Sequence, residues 1–141
     1  MTTYPRIVQV VLDTTDCRRL AEFYRELFGL GYREGDEPPT DGSPDEAGQD
    51  WLVLRGRDGV AGVQLAFQHV PELANSSWPS HEVPQQLHLD TVVASSEELA
   101  EVHGRALELG ARVLLDRTDD PDEPLWVFAD PAGHPFCVFV G

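Results

Sequence analysis

The chain of 141 residues has few cationic residues and no long apolar run. Ten Lys and Arg stand against 25 Asp and Glu, so the formal net charge is −15 and the pI is near 4.4. A charge of this sign repels nucleic-acid phosphates and anionic lipid head groups, and the apolar runs are too short to span a bilayer. We therefore expect a soluble protein with neither a nucleic-acid nor a membrane partner.

Signals for export, disulfides and phosphate binding are also missing. The first residues, MTTYPRIVQV, lack the basic region and apolar stretch of a signal peptide. The only cysteines, Cys17 and Cys137, have no framework spacing. The sequence contains no Gly-rich phosphate loop and no serine on a strand-to-helix elbow. These absences predict a cytoplasmic protein with two reduced thiols.

The sequence does contain an internal repeat. The stretch RRLAEFYRELFGLG, which starts at Arg18, returns as EELAEVHGRALELG, which starts at Glu97, an offset of 79 residues. A repeat of this kind predicts two copies of one supersecondary unit that share a core. The chain is long enough to bury that core in a single domain.

The first half alternates β-branched runs with one helical pattern. Strands are predicted over Arg6 to Leu12, Trp51 to Arg55 and Val60 to Phe67. Apolar residues at spacings of three and four predict a helix that is capped by Asp16 and ends at Gly29. Prolines and seven carboxylates between Glu34 and Asp50 predict a mobile loop without regular structure.

The second half repeats this order of elements. Strands are predicted over Gln86 to Val92, Arg112 to Leu115, LWVFA and PFCVFV, with a helix from about Ser96 to Leu109. We expect an α+β fold in which two tandem βαβββ modules form an open, cup-shaped mixed sheet with the helices outside. The single domain would span residues 1–141, with module one at about 5–69, a linker at about 70–84 and module two at about 85–141.

Side-chain alternation predicts one polar face. Because residues two apart share a face of a strand, four strands should carry a polar residue on the face away from the helices: Gln9, Gln64, His88 and Cys137. The residues expected beside them are Val11, Ala66, Gln68, Asp90 and Phe139. A mixture of amides, imidazole, thiol and Phe is typical of a ligand pocket. The alternative is a set of hydrogen-bonded polar residues in an interface between sheets.

The order of these fragments resembles one known superfamily. The FYRELFGL helix end, the VQLAF and LHLD strands and the DPAGHPFCVF hairpin are similar to those of the vicinal oxygen chelate superfamily, above all its small bacterial glyoxalase-like members. The superfamily includes glyoxalase I, bleomycin-resistance proteins and extradiol dioxygenases. In the metal-using members, inward residues of the first and last strands of each module supply the ligands. The resemblance carries these positions over to Gln9, Gln64, His88 and Cys137.

The chemistry of these four positions departs from the superfamily pattern. Glyoxalase-type sites combine His or Gln with Glu, and extradiol dioxygenases use two His and one carboxylate. Here Gln64 and Cys137 stand at both Glu positions, so we expect no complete metal site and no cofactor. The alternative is that Asp90, on the same face as His88, supplies the missing carboxylate for a divalent metal.

The sequence therefore favours a protein that binds or sequesters a small organic molecule. The expected binding residues are Gln9, Gln64, Gln68, His88, Asp90, Cys137 and Phe139, with Trp51, Trp78 or Trp126 at the rim. The competing hypothesis is a metal-dependent lyase, isomerase or dioxygenase, and acid–base catalysis by His88 and Asp90 is a third. Relatives of this fold commonly dimerise, so we also expect a homodimer.

Overall fold

The computed structural model describes residues 1–59 and 62–141. Contacts divide the chain into two compact units, Met1–Val70 and Pro71–Gly141. Each unit has one long helix and one four-stranded mixed sheet, in the order strand, helix, three strands. The expected α+β fold of two βαβββ modules with open sheets is therefore confirmed. Within the described ranges, no helix is both long and apolar enough to cross a membrane.

The first unit joins its first and last strands in parallel. Its elements are β1 (Gln9–Thr14), α1 (Cys17–Phe28), β2 (Gly31–Tyr32), β3 (Trp51–Arg55) and β4 (Gln64–His69). The order in the sheet is β1-β4-β3-β2. β1 runs parallel to β4, and the other neighbours are antiparallel. Parallel pairing requires a crossover connection, and α1 lies within it.

The start and end of α1 follow the expected signals. The Asp16 carboxylate accepts a hydrogen bond from the Arg19 backbone N–H at 3.0 Å, as an N-cap does. Gly29 ends the helix at φ 66°, a left-handed conformation that favours glycine. The apolar stripe of α1 is buried, and its Tyr24 ring lies 5.7 Å from the Phe67 ring of β4. This contact fixes the face of the first sheet that α1 covers.

The acidic segment differs from the expectation of no regular structure. It contains a short 3₁₀ helix, Ala47–Gln49. The Arg18 guanidinium of α1 donates two hydrogen bonds to the Asp45 carboxylate, at 2.7 and 2.8 Å, and one to the Asp36 carbonyl oxygen at 2.7 Å. The Asp36 side chain is buried and accepts a bond from the Val53 backbone N–H. Composition predicted too little apolar burial here, and charge-assisted hydrogen bonds supply the missing attachment.

The second unit has the same topology. Its elements are β5 (Leu89–Val93), α2 (Ser96–Glu108), β6 (Arg112–Arg117), β7 (Leu125–Ala129) and β8 (Pro135–Val140). The order in the sheet is β5-β8-β7-β6, with β5 parallel to β8. Ser95 caps α2 by accepting a bond from the Glu98 backbone N–H. Only Leu99 and Ala106 of α2 are buried, so this helix covers its sheet less completely than α1.

Three strands begin later than predicted. β1 begins at Gln9 instead of Arg6, and β5 begins at Leu89 instead of Gln86. β4 begins at Gln64, and the predicted residues Val60 and Ala61 lie outside the described ones. For β1 and β4 the reason is that a β-branched run extends beyond its pairing partner: Val8 and Val63 are 53% and 64% exposed.

Limited proteolysis should cut the acidic segment first, between Glu37 and Pro44, where every residue is exposed. Arg18→Met should speed this cut and lower the free energy of unfolding by about 1–2 kcal/mol, because the bonds to Asp45 and Asp36 are lost. The adjacent, exposed Arg19→Met is the matched control and should leave the rate unchanged. Mass spectrometry of the fragments locates the cut. A first cut inside α1 or α2, or equal rates for both variants, would contradict the prediction.

Candidate functional site

Three chemically active side chains of the second unit come together at the start of β5. Asp90 lies directly opposite Cys137 in the parallel pairing of β5 with β8. His88 immediately precedes β5, two residues from Asp90, so their side chains share one face. The ring of Trp126, on β7, stacks against His103 of α2. Val127, the next residue, lies opposite Cys137, so this cluster occupies the face away from α2.

The three side chains are within bonding distance. The Cys137 thiol donates a hydrogen bond to Asp90 Oδ1 at 2.6 Å, and His88 Nε2 lies 3.4 Å from the same oxygen. The His88 and Asp90 side chains are 49% and 63% exposed, while Cys137 is half-buried. The cluster can therefore contact solvent or a ligand without rearrangement of the backbone.

The surroundings keep the Cys137 thiol protonated. Burial raises its pKa to about 12, and the hydrogen bond to Asp90 and the charge of that carboxylate act in the same direction. A thiol, unlike a thiolate, is a poor nucleophile. In this state Cys137 acts as a hydrogen-bond donor, which argues against a thiolate–imidazole catalytic pair with His88.

An apolar pocket adjoins the cluster. It has about 280 Å³ of empty volume and is lined by His88 and Cys137 together with Trp78, Gln85, Val127, Pro135 and Phe136. Trp78 therefore lies at this pocket. It is one of the three tryptophans that the sequence places at the rim. Gln85 was missed because it sits in an irregular segment, where no periodic pattern marks which residues turn inward.

The cluster also has the donor set of an open metal site. The His88, Asp90 and Cys137 ligand atoms all lie within 4.8 Å of one another. A tetrahedral zinc ion holds its ligand atoms about 3.3 to 3.8 Å apart, and the distance from His88 to Asp90 fits this range. Cys137 Sγ and Asp90 Oδ1 are closer, at 2.6 Å, because the thiol donates a hydrogen bond to the carboxylate. Binding of an ion would displace the thiol proton and increase the distance between the sulfur and the oxygen by about 1 Å.

The remaining site residue of this unit, Phe139, lies further along β8. It pairs with Val92 of β5 and with Leu125 of β7 and is half-buried. It is two residues from Cys137 and so lies on the same face. Phe139 does not line the pocket beside His88.

The predicted glutamines belong to the first unit. Gln9 and Gln64 lie directly opposite each other in the parallel pairing of β1 with β4, so their side chains are neighbours on one face. Gln68, two positions after Ala66 on the same face, is exposed and lies opposite Trp51 of β3. These residues form a polar row on the face of the sheet away from α1.

The strand register corrects one sequence-based equivalence. Gln9 pairs with Gln64, and Leu89 pairs with Phe136, so His88, the repeat counterpart of Gln9, aligns with Pro135. Gln64 therefore corresponds to Pro135, and Cys137 corresponds to Ala66. The prediction that Gln64 and Cys137 occupy matching last-strand positions is wrong. Ala66 is buried and has no ligand atom.

Trp126 is also placed differently from the expectation. Its ring stacks on His103 of α2 at 4.2 Å, so it lies on the helix-facing side of the second sheet and not at the rim of the pocket beside His88. The sequence alone does not predict which face of β7 carries Trp126, because that depends on how β7 pairs with its neighbouring strands.

The Asp90 carboxylate should control the reactivity of Cys137. Asp90→Asn removes the charge that holds the thiol pKa up, so alkylation of Cys137 by iodoacetamide at pH 9 should become about three to ten times faster. Peptide mapping by mass spectrometry measures this rate separately for each cysteine. Cys17 is the internal control, since it is 1% exposed and should react slowly in both proteins. An unchanged Cys137 rate would contradict the hydrogen bond to Asp90.

Comparisons with known proteins give a consistent family. The family model described as Glyoxalase-like domain matches residues 9–139. No curated protein matches the chain.

Solved structures resemble the chain over nearly its full length. A glyoxalase/bleomycin resistance protein/dioxygenase family enzyme from Burkholderia phytofirmans has a TM-score of 0.68 at 15% identity, covering 96% of this chain and 98% of that one. A lactoylglutathione lyase from Agrobacterium tumefaciens has a TM-score of 0.60 at 19% identity, covering 99% and 96%. The fosfomycin resistance protein FosX from Mesorhizobium loti has a TM-score of 0.66 at 13% identity, covering 99% and 94%. At these identities the likeness concerns the fold alone.

Proposed function

The chain belongs to the glyoxalase-like domain family, within the vicinal oxygen chelate superfamily, and we propose that it binds a small organic molecule beside His88, Asp90 and Cys137. The observation that carries the proposal is the meeting of these three polar side chains with an apolar pocket on one face of the second unit. Ligand sites commonly combine a mostly apolar lining with a few convergent polar groups.

The geometry supports a ligand with an apolar body and one polar end. Trp78, Val127 and Pro135 would contact the apolar part. His88 and Asp90 would hydrogen-bond the polar part, since both are exposed at the pocket. The pocket is small and part of its empty volume is open to solvent, so a compact molecule is favoured over an extended one. Phe139, on the same face, remains a proposed contact for larger ligands, and Gln9, Gln64 and Gln68 remain proposed ligand contacts of the first unit.

A fragment library screened by two-dimensional amide NMR tests this proposal. Fragments that bind should shift the amide signals of His88, Asp90 and Cys137. His88→Gln should weaken these fragments about tenfold or more, because it replaces the imidazole at the pocket mouth. The free energy of unfolding should fall by less than about 1 kcal/mol, since His88 is half-exposed.

The matched control is His81→Gln, which makes the same chemical change at an exposed histidine of the same unit. This variant should bind the fragments as the wild type does. Equal weakening by both variants would contradict the proposal, as would a library in which no fragment shifts the three amides.

A second candidate function is metal-dependent catalysis, and the cluster of three ligand atoms favours it. His88, Asp90 and Cys137 would hold a divalent ion such as zinc. A bound ion of this kind supplies Lewis-acid chemistry. Against it, the strand register leaves Ala66 at the first-unit counterpart of Cys137. Elemental analysis of protein purified without chelator distinguishes the two candidate functions. Small-molecule binding without a metal predicts much less than one equivalent of metal per chain. A full equivalent that is lost in His88→Ala would favour metal-dependent catalysis.

We also propose that the protein is a homodimer. β1 is an edge strand of the first sheet. Ile7 and Val8, just before it, and Val11, within it, are 85%, 53% and 36% exposed. An edge strand with exposed apolar side chains can pair with a second copy about a twofold axis.

Sedimentation equilibrium at micromolar concentration should give about twice the chain mass of 15.6 kDa. Val8→Asp should dissociate the dimer, because it introduces a charge into the apolar edge. Leu107→Asp is the control, since Leu107 is an exposed apolar residue of α2 and is 42% exposed. A wild-type protein that sediments only as a single chain would rule out the dimer.

A further inference from the structure

A second groove lies on the opposite, helix-facing side of the second sheet. It has about 530 Å³ of empty volume, part of it open to solvent. Leu99, Ala100 and His103 of α2 form one wall, and Trp126 with the β6–β7 connection, including Thr118 and Pro124, forms the other. None of these residues belongs to the cluster proposed to bind the small molecule.

Two helix residues that line this groove are more exposed than their repeat counterparts in the first unit. The offset of 79 residues pairs Ala21 with Ala100 and Tyr24 with His103. Ala21 and Tyr24 are fully buried in the first unit, whereas Ala100 is exposed and His103 is half-buried. In the first unit the Tyr24 ring packs on Phe67 of β4, and Arg18 attaches the acidic segment to the same helix. The β6–β7 connection, residues 118–124, is much shorter, and Ala100 of α2 is exposed.

The groove contains an aromatic surface formed by the His103 and Trp126 rings, which line it. The His103 and Trp126 rings are stacked at 4.2 Å with an interplanar angle of 23°. Trp126 also stacks with Phe128 at 6.1 Å, and Phe128 with Phe136 at 5.3 Å. Phe128 of β7 and Phe136 of β8 are fully buried, so these contacts restrain the half-buried Trp126 ring. A planar aromatic ring is the group that such a surface accommodates best.

A carboxylate stands beside this surface. Asp116 lies directly opposite Trp126 in the antiparallel pairing of β6 with β7, so both side chains are on the same face. Asp116 Oδ1 accepts hydrogen bonds from the Thr118 backbone N–H at 2.9 Å and hydroxyl at 2.7 Å. These bonds lower the pKa of the Asp116 carboxyl, so the group is ionised at neutral pH.

The charge around the groove is reversed relative to the first unit. Arg18, which pairs with the acidic segment, has Glu97 as its repeat counterpart. Glu97 and Glu98 both lie in the first turn of α2. Where the first unit presents a cation to its own acidic segment, the second unit presents carboxylates. The Asp116 carboxylate beside Trp126 is complemented by a cation.

We propose that this groove binds a small aromatic amine, with its ring against Trp126 and its ammonium group at the Asp116 carboxylate. The aromatic surface provides apolar contact area, and the carboxylate selects the charge. The proposal concerns a different face of the sheet from the pocket beside His88 and does not depend on it.

Tryptamine tests the proposal, with tryptophol as its neutral and indole-3-acetate as its anionic counterpart. Titrations followed by amide and indole N–H NMR at pH 7 should show tryptamine shifting the Trp126 and His103 signals. Tryptamine should bind about two- to fivefold more tightly than tryptophol, as expected for one exposed ion pair. Indole-3-acetate should bind most weakly. Equal affinity for the three compounds would overturn the charge assignment, and no shift at Trp126 or His103 at about 10 mM tryptamine would overturn the site.

Variants separate the aromatic and charged contributions. Asp116→Asn should abolish the preference for tryptamine over tryptophol, and Trp126→Leu should weaken both compounds. The control Asp119→Asn removes an exposed carboxylate from the same connection and should leave the preference unchanged. His88→Gln should not alter the titration. A thermal denaturation curve for each variant verifies folding, and loss of the preference in Asp119→Asn as well would show that only the general negative charge acts.

Discussion

The parallel pairing of the first and last strands is the constraint on which each unit depends. β1 lies beside β4, and β5 lies beside β8. Because parallel neighbours cannot be joined by a tight hairpin, the chain must cross over, and the crossover helix covers one face of the sheet. The same pairing places Asp90 opposite Cys137. Both the covered core and the cluster on the other face therefore follow from one backbone arrangement.

Caps, apolar spacing and stop residues are sufficient to predict the helices and strands, because each of these patterns involves residues close together in the sequence. The Asp16 cap, the apolar stripe of α1 and the stop at Gly29 were all read from spacing alone. Alternation also identified Asp90 and Cys137 as residues of the same face. Register was not predictable, since it is set by pairing between distant segments. For that reason Gln64 was assigned to the position that Ala66 occupies.

Composition alone gives the wrong expectation for the acidic segment that Arg18 attaches to α1. A segment rich in proline and carboxylates has little apolar surface to bury, so it was expected to remain without structure. One guanidinium from α1 contacts both Asp36 and Asp45 and attaches the segment to the helix. The repeat conserves the helix but not this cation. In the second unit Glu97 stands at the position of Arg18, the connection is shorter and Ala100 of α2 is exposed.

β7 divides two environments that are one residue apart. Trp126 belongs to the aromatic surface beneath α2, and Val127 lines the pocket beside Cys137. Their side chains point to opposite faces because the period of a strand is two. The two surfaces therefore share a backbone but no side chain. A substitution on one face changes the chemistry of that face while the ladder of hydrogen bonds between β7 and β8 is kept, so the contributions of the two surfaces can be measured separately in one protein.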